Sequence, residues 1–518
     1  MAQRRGAASL VAAGILLSRL SGFVRDRYVA HYLGGRSDTA DAFRLALRIP
    51  NFLQNLFGEG VLSASFIPVY AGLLARGEEE EAGRVAGAVL AILSLVTSVL
   101  VLLGMLATPV LVDVIGYGFD GPKRQLTIEL VRMVFPGVGL LVISAWCLGV
   151  LNSHRRFFLS YSVGVVLNLA MLVALFWFGP RTSEEGLTRV LAIAYVIGSA
   201  LQLVVQLPVA LTLIPQLRVG FFTQLASVRT VIRNFGPVFL SRGVVQISGF
   251  IDSMLATPVH GGLNMLAVAS NVSILPVSLF GMSVSASELP EMSRAIGEDA
   301  EVAAYLRKRL AAGLRRITFL VIPSAVAFLA LGDQIIGAIY QSGLFTRADT
   351  LWGWGILAGS GVGLLASTQG RLYSSTFYAL KDTRTPLRFA IIRIALTTAL
   401  GYLCVRWLPG WLGVSPQWGI PGLTASAGVS GWVEFVLLRR ALARRIGSEP
   451  VGVAYLTRLW IVAVLAAVLA LAVKVFAPIG PHPVEMAIAT LVPFGLVYLL
   501  LADPAQTRAL LAKGLRKK

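Results

Sequence analysis

Charge, cysteine and histidine are all scarce in this chain. Of its 518 residues, 14% are Asp, Glu, Lys or Arg, where a soluble domain carries about 25%. So little polar surface excludes a water-soluble globule. The two cysteines, Cys147 and Cys404, sit in separate apolar runs with no C-x-x-C partner, which argues against a disulfide framework and a zinc site. The four histidines, His31, His154, His260 and His482, are scattered over loops and span ends, so no metal site is expected. No G-x-x-x-x-G-K-[ST] loop and no H-E-x-x-H occurs, so nucleotide hydrolysis and zinc catalysis have no carrier and an enzyme is not expected. Acids are few as well, 26 against 45 Lys and Arg, a net charge of +19. Nucleic acid is excluded as the partner because those cations stand in short clusters between apolar stretches.

What the chain has instead is hydrocarbon, with 56% of residues hydrophobic and a mean hydropathy of +0.76. Crossing a bilayer core takes about 20 mostly apolar residues. Such runs fall near 8–33, 42–74, 84–114, 127–151, 157–179, 188–214, 231–257, 263–290, 317–340, 351–379, 387–408, 418–438, 454–477 and 483–502. The expected class is an all-α polytopic membrane protein with about fourteen helices. The runs are too long and too uniformly apolar for barrel strands. Arginine and lysine concentrate in every second connection, among them Arg155 and Arg156, Arg307 to Arg309, and Arg439 to Arg445. That asymmetry predicts both termini on the cytoplasmic side, the tail 513–518 included.

An internal repeat sets the organisation. Leu17, Ser18 and Arg19 match Leu240, Ser241 and Arg242, and FGEGVLSASFIP from Phe57 matches FGMSVSASELP from Phe280, both 223 residues apart. Six spans separate the copies, so both halves enter the membrane in the same sense, related by an axis along its normal. The expected domains are a first six-helix lobe, 1–222, a second, 223–445, and two further helices with a basic tail, 446–518.

Ionisable residues inside the spans carry the functional signal, since a mid-membrane arginine costs about 2.5–3.5 kcal/mol unless it lines water or is paired. These are Arg19, Arg25 and Asp26 in the first span, Arg44, Arg48 and Glu59 in the second, Arg242 and Asp252 in the seventh, Glu288 in the eighth, Arg371 in the tenth, and Arg393 and Glu434 in the eleventh and twelfth. Asp26, Glu59, Asp252, Glu288 and Arg393 are the candidates for ion pairing or gating. The competing reading, that Asp26 neutralises a neighbouring arginine and that Arg44 and Arg48 snorkel to an interface, weighs more for Arg44 and Arg27 than for Arg19 and Arg25. Several guanidinium groups in one cavity suit a phosphate-bearing or carboxylate-bearing ligand, because the planar fork matches paired oxygens. Glycine and proline interrupt the same spans, at Gly22, Pro50, Gly58, Pro237, Pro276 and Gly281, where bends or close helix contacts are tolerated.

The motifs SRLSGFVRD (18–26), ADAF (40–43), IPNFLQNLFGEGVLSASFIP (49–68), GVLNSHRRF (149–157), YQSGLFT (340–346) and FYALKDTRTP (377–386) resemble the MurJ/MviN lipid II flippases of the multidrug/oligosaccharidyl-lipid/polysaccharide exporter superfamily. That resemblance implies movement of undecaprenyl-pyrophosphate-linked peptidoglycan precursor, lipid II, from the inner to the outer leaflet of the bacterial cytoplasmic membrane, for cell-wall synthesis and cell shape. It further implies alternating access, with the headgroup in an inter-lobe cavity and the tail on a groove involving the last two spans. The family's first-span arginines fall on Arg19 and Arg25 and its acid after the first loop on Asp41. Two family arginines are replaced here by Gln54 and Asn271, and Arg242, Arg48 or Arg371 is expected to compensate.

Some relatives couple to sodium through a seventh-span acid, which would be Asp252. The eleventh span offers Arg393 and no carboxylate, so sodium or membrane-potential coupling is not favoured, and an Asp252–Arg393 pair is the rival. No cofactor is implied. The partners are lipid II or a related polyprenyl-pyrophosphate glycan and membrane lipids, with the protein a monomer. Competing readings are a flippase for another polyprenyl-pyrophosphate glycan and a membrane-embedded glycosyl or acyl transferase.

Overall fold

The structure is a computed structural model that describes residues 2–294, 298–447, 451–476, 482–504 and 506–507; within them the side chains of 2–12, 59–60, 238, 240–245, 247–248 and 286 are not described. Every regular element among the described residues is helical. By packing, the chain forms two compact units, residues 1–264 and 265–518.

The first unit holds α1 (Ala2–Leu33), α2 (Asp38–Phe57), α3 (Glu59–Ser65), α4 (Ile67–Ala75), α5 (Glu79–Ile115), α6 (Gly121–Ser153), α7 (Phe157–Ser162), α8 (Gly164–Phe178), α9 (Glu184–Thr212) and α10 (Ala226–Ala256). Its centre is α6, which packs on α2, α5 and α9, while α8 lies between α9 and α1. Leu130, Val134 and Val138 of α6 fill the core against Leu45 of α2 and Leu191 of α9. Ser37 starts α2 by accepting the Ala40 N–H, and Ser183 starts α9 by accepting that of Gly186, each satisfying an otherwise orphaned donor. The motif offset leads to an expected boundary at 222/223; by packing the first unit runs on to residue 264, with α10 resting on α2, α3 and α5.

The chain crosses into the second unit along α11 (Gly262–Pro276). A π-helical turn (Val277–Met282), α12 (Ser283–Met292), α13 (Asp299–Ala330), α14 (Gly332–Tyr340), α15 (Arg347–Ala379), α16 (Arg384–Arg406), α17 (Leu408–Leu412), α18 (Gly419–Ile446), α19 (Val453–Phe476) and α20 (Pro483–Leu501) follow. Here α15 is central, packed on α13, α14 and α18; α19 pairs with α20.

Eleven helices among the described residues are long and apolar enough to cross a membrane. The expected fourteen is not reached on that criterion, although α1, α10 and α15 are 32, 31 and 33 residues long. In α15 the reason is local, since its middle reads GSGVGLLASTQGR: small and polar residues dilute its hydropathy while the helix stays intact. The expected span 317–340 is corrected, for a break at Leu331 separates α13 from α14. Both repeat copies are irregular at the same place. The helix breaks at Gly58 in the first copy, and at the matching Gly281 the second passes through the π turn; such bulges favour functional bends.

Several family-like motifs prove to be structural devices. In YQSGLFT, Gly343 takes a positive φ of 56° and Thr346 forms a capping box with Asp349 to start α15. In FYALKDTRTP, Asp382 accepts the N–H groups of Arg384 and Thr385 at 3.1 and 3.0 Å and pairs with Arg445 at 3.0 Å. Those backbone donors, the Thr385 N–H foremost, hold its carboxyl below the usual carboxylate range. Close approach governs α15 on α18: a Cβ at Gly363 would lie 2.2 Å from the Cα of Gly428, and one at Gly359 would lie 2.5 Å from the Pro421 carbonyl oxygen.

Two outcomes follow for thermal unfolding in detergent. Gly363→Ala forces α15 and α18 apart and is expected to cost about 1–3 kcal/mol. Asp382→Ala is expected to cost about 1 kcal/mol at neutral pH. Because the native carboxyl titrates below its unfolded value, the Asp382 contribution is complete above an unfolded pKa of about 3.9 and is lost as pH falls through the lower native value. The gap between Asp382→Ala and wild type should therefore close in acid.

Candidate functional site

A charged side chain at membrane depth needs a partner or water, and α1 and α2 between them carry more cations than acids. The carboxylate of Asp26 is buried. Its Oδ1 accepts Arg25 Nε and Nη2 at 3.2 and 2.9 Å and lies 3.6 Å from Arg44 Nη1. One carboxylate thus serves two guanidinium groups. Arg25 Nη1 reaches across to Asn168 Oδ1 of α8 at 2.9 Å, and Asn168 Nδ2 returns to Ser21 Oγ and the Ser18 carbonyl on α1. Asn168 therefore fixes both the arginine and the helix that carries it. Arg44 does not snorkel to an interface: its Nε donates to Asn264 Oδ1 at 3.0 Å, and its Nη2 is buried with no hydrogen-bond partner among the described residues.

Beside Arg25 opens a cavity of about 460 Å³ within the first unit, lined by Arg19, Arg25, Asn51, Gln54, Asn168 and Tyr195, with Ser144, Gln202 and Gln206 along its wall. Tyr195 donates to Asn51 Oδ1 at 2.8 Å. Gln202 Nε2 donates to Ser144 Oγ, which donates on to Gln206 Oε1 at 2.6 Å. The walls thus present two guanidinium groups and several amides and hydroxyls, a donor set suited to an oxyanion.

Of the residues expected at a site, Arg19, Arg25 and Gln54 share this cavity. Asp41 does not line it. Its carboxylate is fully buried and accepts Lys123 Nζ at 2.7 Å and the Gly261 N–H at 3.0 Å on Oδ2, with the Asn264 N–H at 2.8 Å on Oδ1. Asn264 is the repeat equivalent of Asp41, 223 residues on, and its Nδ2 donates to the carbonyls of Gly34 and Gly35. Two repeat-related positions therefore clasp each other's loops.

Arg48 also lies off the cavity, donating to the Gly249 carbonyl within electrostatic reach of Asp252. In the second unit, Glu288 pairs with Arg309 at 2.9 Å. Arg393, considered as a partner for Asp252, is paired with Glu434 at 3.2 Å, and both act electrostatically on Arg371. Asn271 stands on α11. The side chains of Arg242 and Glu59 lie outside the described ones, as does the tail 513–518. Among the described residues no three His, Cys, Asp or Glu side chains gather to hold a metal ion.

Asn168, Tyr195, Gln202 and Gln206 were not anticipated. A signal existed, since Asn168 interrupts GVVLNLAML and the two glutamines stand i,i+4 in LQLVVQL. Neutral polar residues weigh little beside arginines in a hydropathy scan, and only packing showed them on one wall.

Among known proteins, the family profile described as lipid II flippase MurJ matches residues 29–487. A probable lipid II flippase MurJ from Rhizobium tropici is 31% identical over 444 residues, 84% of this chain and 80% of that protein. The lipid II flippase MurJ of Burkholderia cenocepacia is 28% identical over 437 residues, covering 83% and 82%. In fold, the chain resembles a solved lipid II flippase MurJ in an inward closed conformation, with a TM-score of 0.75 and 22% identity over 97% of this chain and 99% of that one. An inward-facing multidrug resistance MATE transporter follows at a TM-score of 0.61 and 16% identity, covering 86% of this chain and all of that one.

Titration with inorganic pyrophosphate by calorimetry in detergent tests the cavity. Arg25→Ala is expected to weaken binding about tenfold or more through loss of a charge-assisted donor, and Asn168→Leu to weaken it less by releasing Arg25. Unchanged affinity in both would reject the cavity as an anion site. Asp41→Ala leaves the Gly261 and Asn264 N–H groups without their acceptor while Lys123 keeps Asp38 at 2.9 Å, and is expected to cost about 1–3 kcal/mol of stability.

Proposed function

The chain belongs to the lipid II flippase MurJ family, and from that premise we propose that it carries undecaprenyl-pyrophosphate-linked peptidoglycan precursor from the inner to the outer leaflet by alternating access, with Arg19 and Arg25 gripping the diphosphate. The observation that supports this most is the pair of guanidinium groups in one polar cavity. Arg19 and Arg25 both line it, and the Asp26 carboxylate beside Arg25 is shared with Arg44. A doubly ionised diphosphate offers both planar forks the paired oxygens they match.

In this reading the protein is a transporter and performs no covalent step. It lies in the bacterial cytoplasmic membrane as a monomer, with both termini inside, as the arginine-rich alternate connections favour, and it uses no cofactor. Coupling to sodium is disfavoured, because the charges acting on Arg48 and Asp252 already offset one another. A second reading, a flippase for a different polyprenyl-pyrophosphate glycan, draws on Gln54. This neutral amide lines the cavity where the family commonly carries an arginine, and an amide reads sugar hydroxyls as readily as phosphate.

Complementation decides between them. In cells depleted of their own lipid II flippase, the chain is expected to restore growth and to lower the inner-leaflet lipid II pool, and Arg25→Ala to fail at equal expression. Failure of the wild-type chain at good expression would favour the other glycan.

A further inference from the structure

The cavity beside Arg25 is divided by chemistry. Both of its cations, Arg19 and Arg25, come from α1, and among the described residues no carboxylate lines it. The wall made by α6 and α9 is neutral. On α6, Leu141, Ser144, Ala145 and Leu148 recur at helical spacing and so share one face. On α9, Gln202 and Gln206 stand about 10 and 16 Å along the axis from Tyr195. From Ile15 to Arg25 the α1 wall covers a similar length, about 15 Å, which takes a diphosphate together with the sugar bonded to it.

A relay fixes how the two amides are turned. Gln206 Oε1 accepts the Ser144 hydroxyl at 2.6 Å, so that hydroxyl has no second hydrogen to give and instead accepts Gln202 Nε2 at 3.1 Å. Gln202 is half-buried, and it keeps its carbonyl oxygen and one amide hydrogen unused by any described residue. Around the same cavity, Gln206 Nε2 and Ser160 Oγ are buried with no hydrogen-bond partner among the described residues. Turning the Gln206 amide over only moves the deficit to its oxygen.

We propose that this wall reads an N-acetylated amino sugar bonded directly to the diphosphate, with Gln202 in contact with the sugar and Ser144 and Gln206 positioning Gln202. The proposal rests on the flippase reading and deepens it, adding a sugar-reading wall to the arginine grip. Three features select the ligand. An acetamido group carries a donor and an acceptor pointing opposite ways, and the wall holds an unused oxygen on Gln202 and unmet polar atoms on Gln206 and Ser160. The acetamido methyl needs apolar contact, which Leu141, Ala145 and Leu148 supply beside Ser144. The α6–α9 wall also has no charge of its own to offset an ammonium or carboxylate taken out of water. A plain sugar hydroxyl brings one short polar group where the acetamido brings donor, acceptor and methyl, and sites built on such groups reject the analogue that lacks them.

The test is calorimetry on the full chain in detergent with two soluble probes, farnesyl-diphospho-N-acetylglucosamine and farnesyl-diphosphoglucose, which differ only in the acetamido group. Wild type is expected to bind the acetylated probe about tenfold or more tightly than the other. Gln202→Leu is expected to bring the two within about twofold, and Ser144→Ala, which releases Gln202 from the relay, to narrow the ratio in the same direction. Arg25→Ala is expected to weaken both probes alike and preserve the ratio. Equal affinities in wild type, the outcome if water alone satisfies these amides, would overturn the subsite and leave the flippase reading standing. A preference that survives both Gln202→Leu and Ser144→Ala would overturn it as well. If neither probe bound, the subsite would fall together with the diphosphate reading of the cavity.

Discussion

Two half-buried guanidinium groups sharing one carboxylate is the condition around which the first unit is arranged. Asp26 cannot neutralise Arg25 and Arg44 together, so the surplus has to be spread over neutral acceptors, Asn168 for one arginine and Asn264 for the other. Each asparagine then turns its own amide back onto backbone or hydroxyl oxygens near the arginine's helix. Helix positions follow from this arrangement. Shifting α8 or α1 by a turn would leave a cation without its acceptor in a medium that cannot solvate it. A site poised to bind an anion is in this sense also what aligns the helices around it.

The clasp at Asp41 expresses the same constraint with the opposite sign. A fully buried carboxylate is tolerable because an ammonium and two backbone N–H groups converge on it. Its N–H donors include Asn264, which stands 223 residues on, at the offset of the matching motifs. The Asn264 side chain is neutral beside that carboxylate and donates instead to the Gly34 and Gly35 carbonyls.

Neutral small residues do the corresponding work in the second unit. Gly359 and Gly363 let α15 lie directly on α18, and the same residues lower its hydropathy until it no longer resembles a span by composition. Motif residues divide along similar lines. Thr346 and Asp382 start helices, so their place in a family-like pattern reflects folding, whereas Arg19 and Arg25 meet in a cavity.

Sequence alone determined that the chain is an all-helical membrane protein, that two of its motifs recur at an offset of 223, and that Arg19, Arg25 and Asp26 need an explanation at membrane depth. Composition, periodicity and charge are additive along a chain and survive without coordinates. Only the tertiary structure decided which residues share a wall. Asn168 and Tyr195 joined Arg25 in the cavity, Asp41 withdrew into a clasp, and Arg393 went to Glu434. Hydrogen bonds act over about 3 Å between residues far apart in sequence, and no pattern read along the chain encodes that proximity.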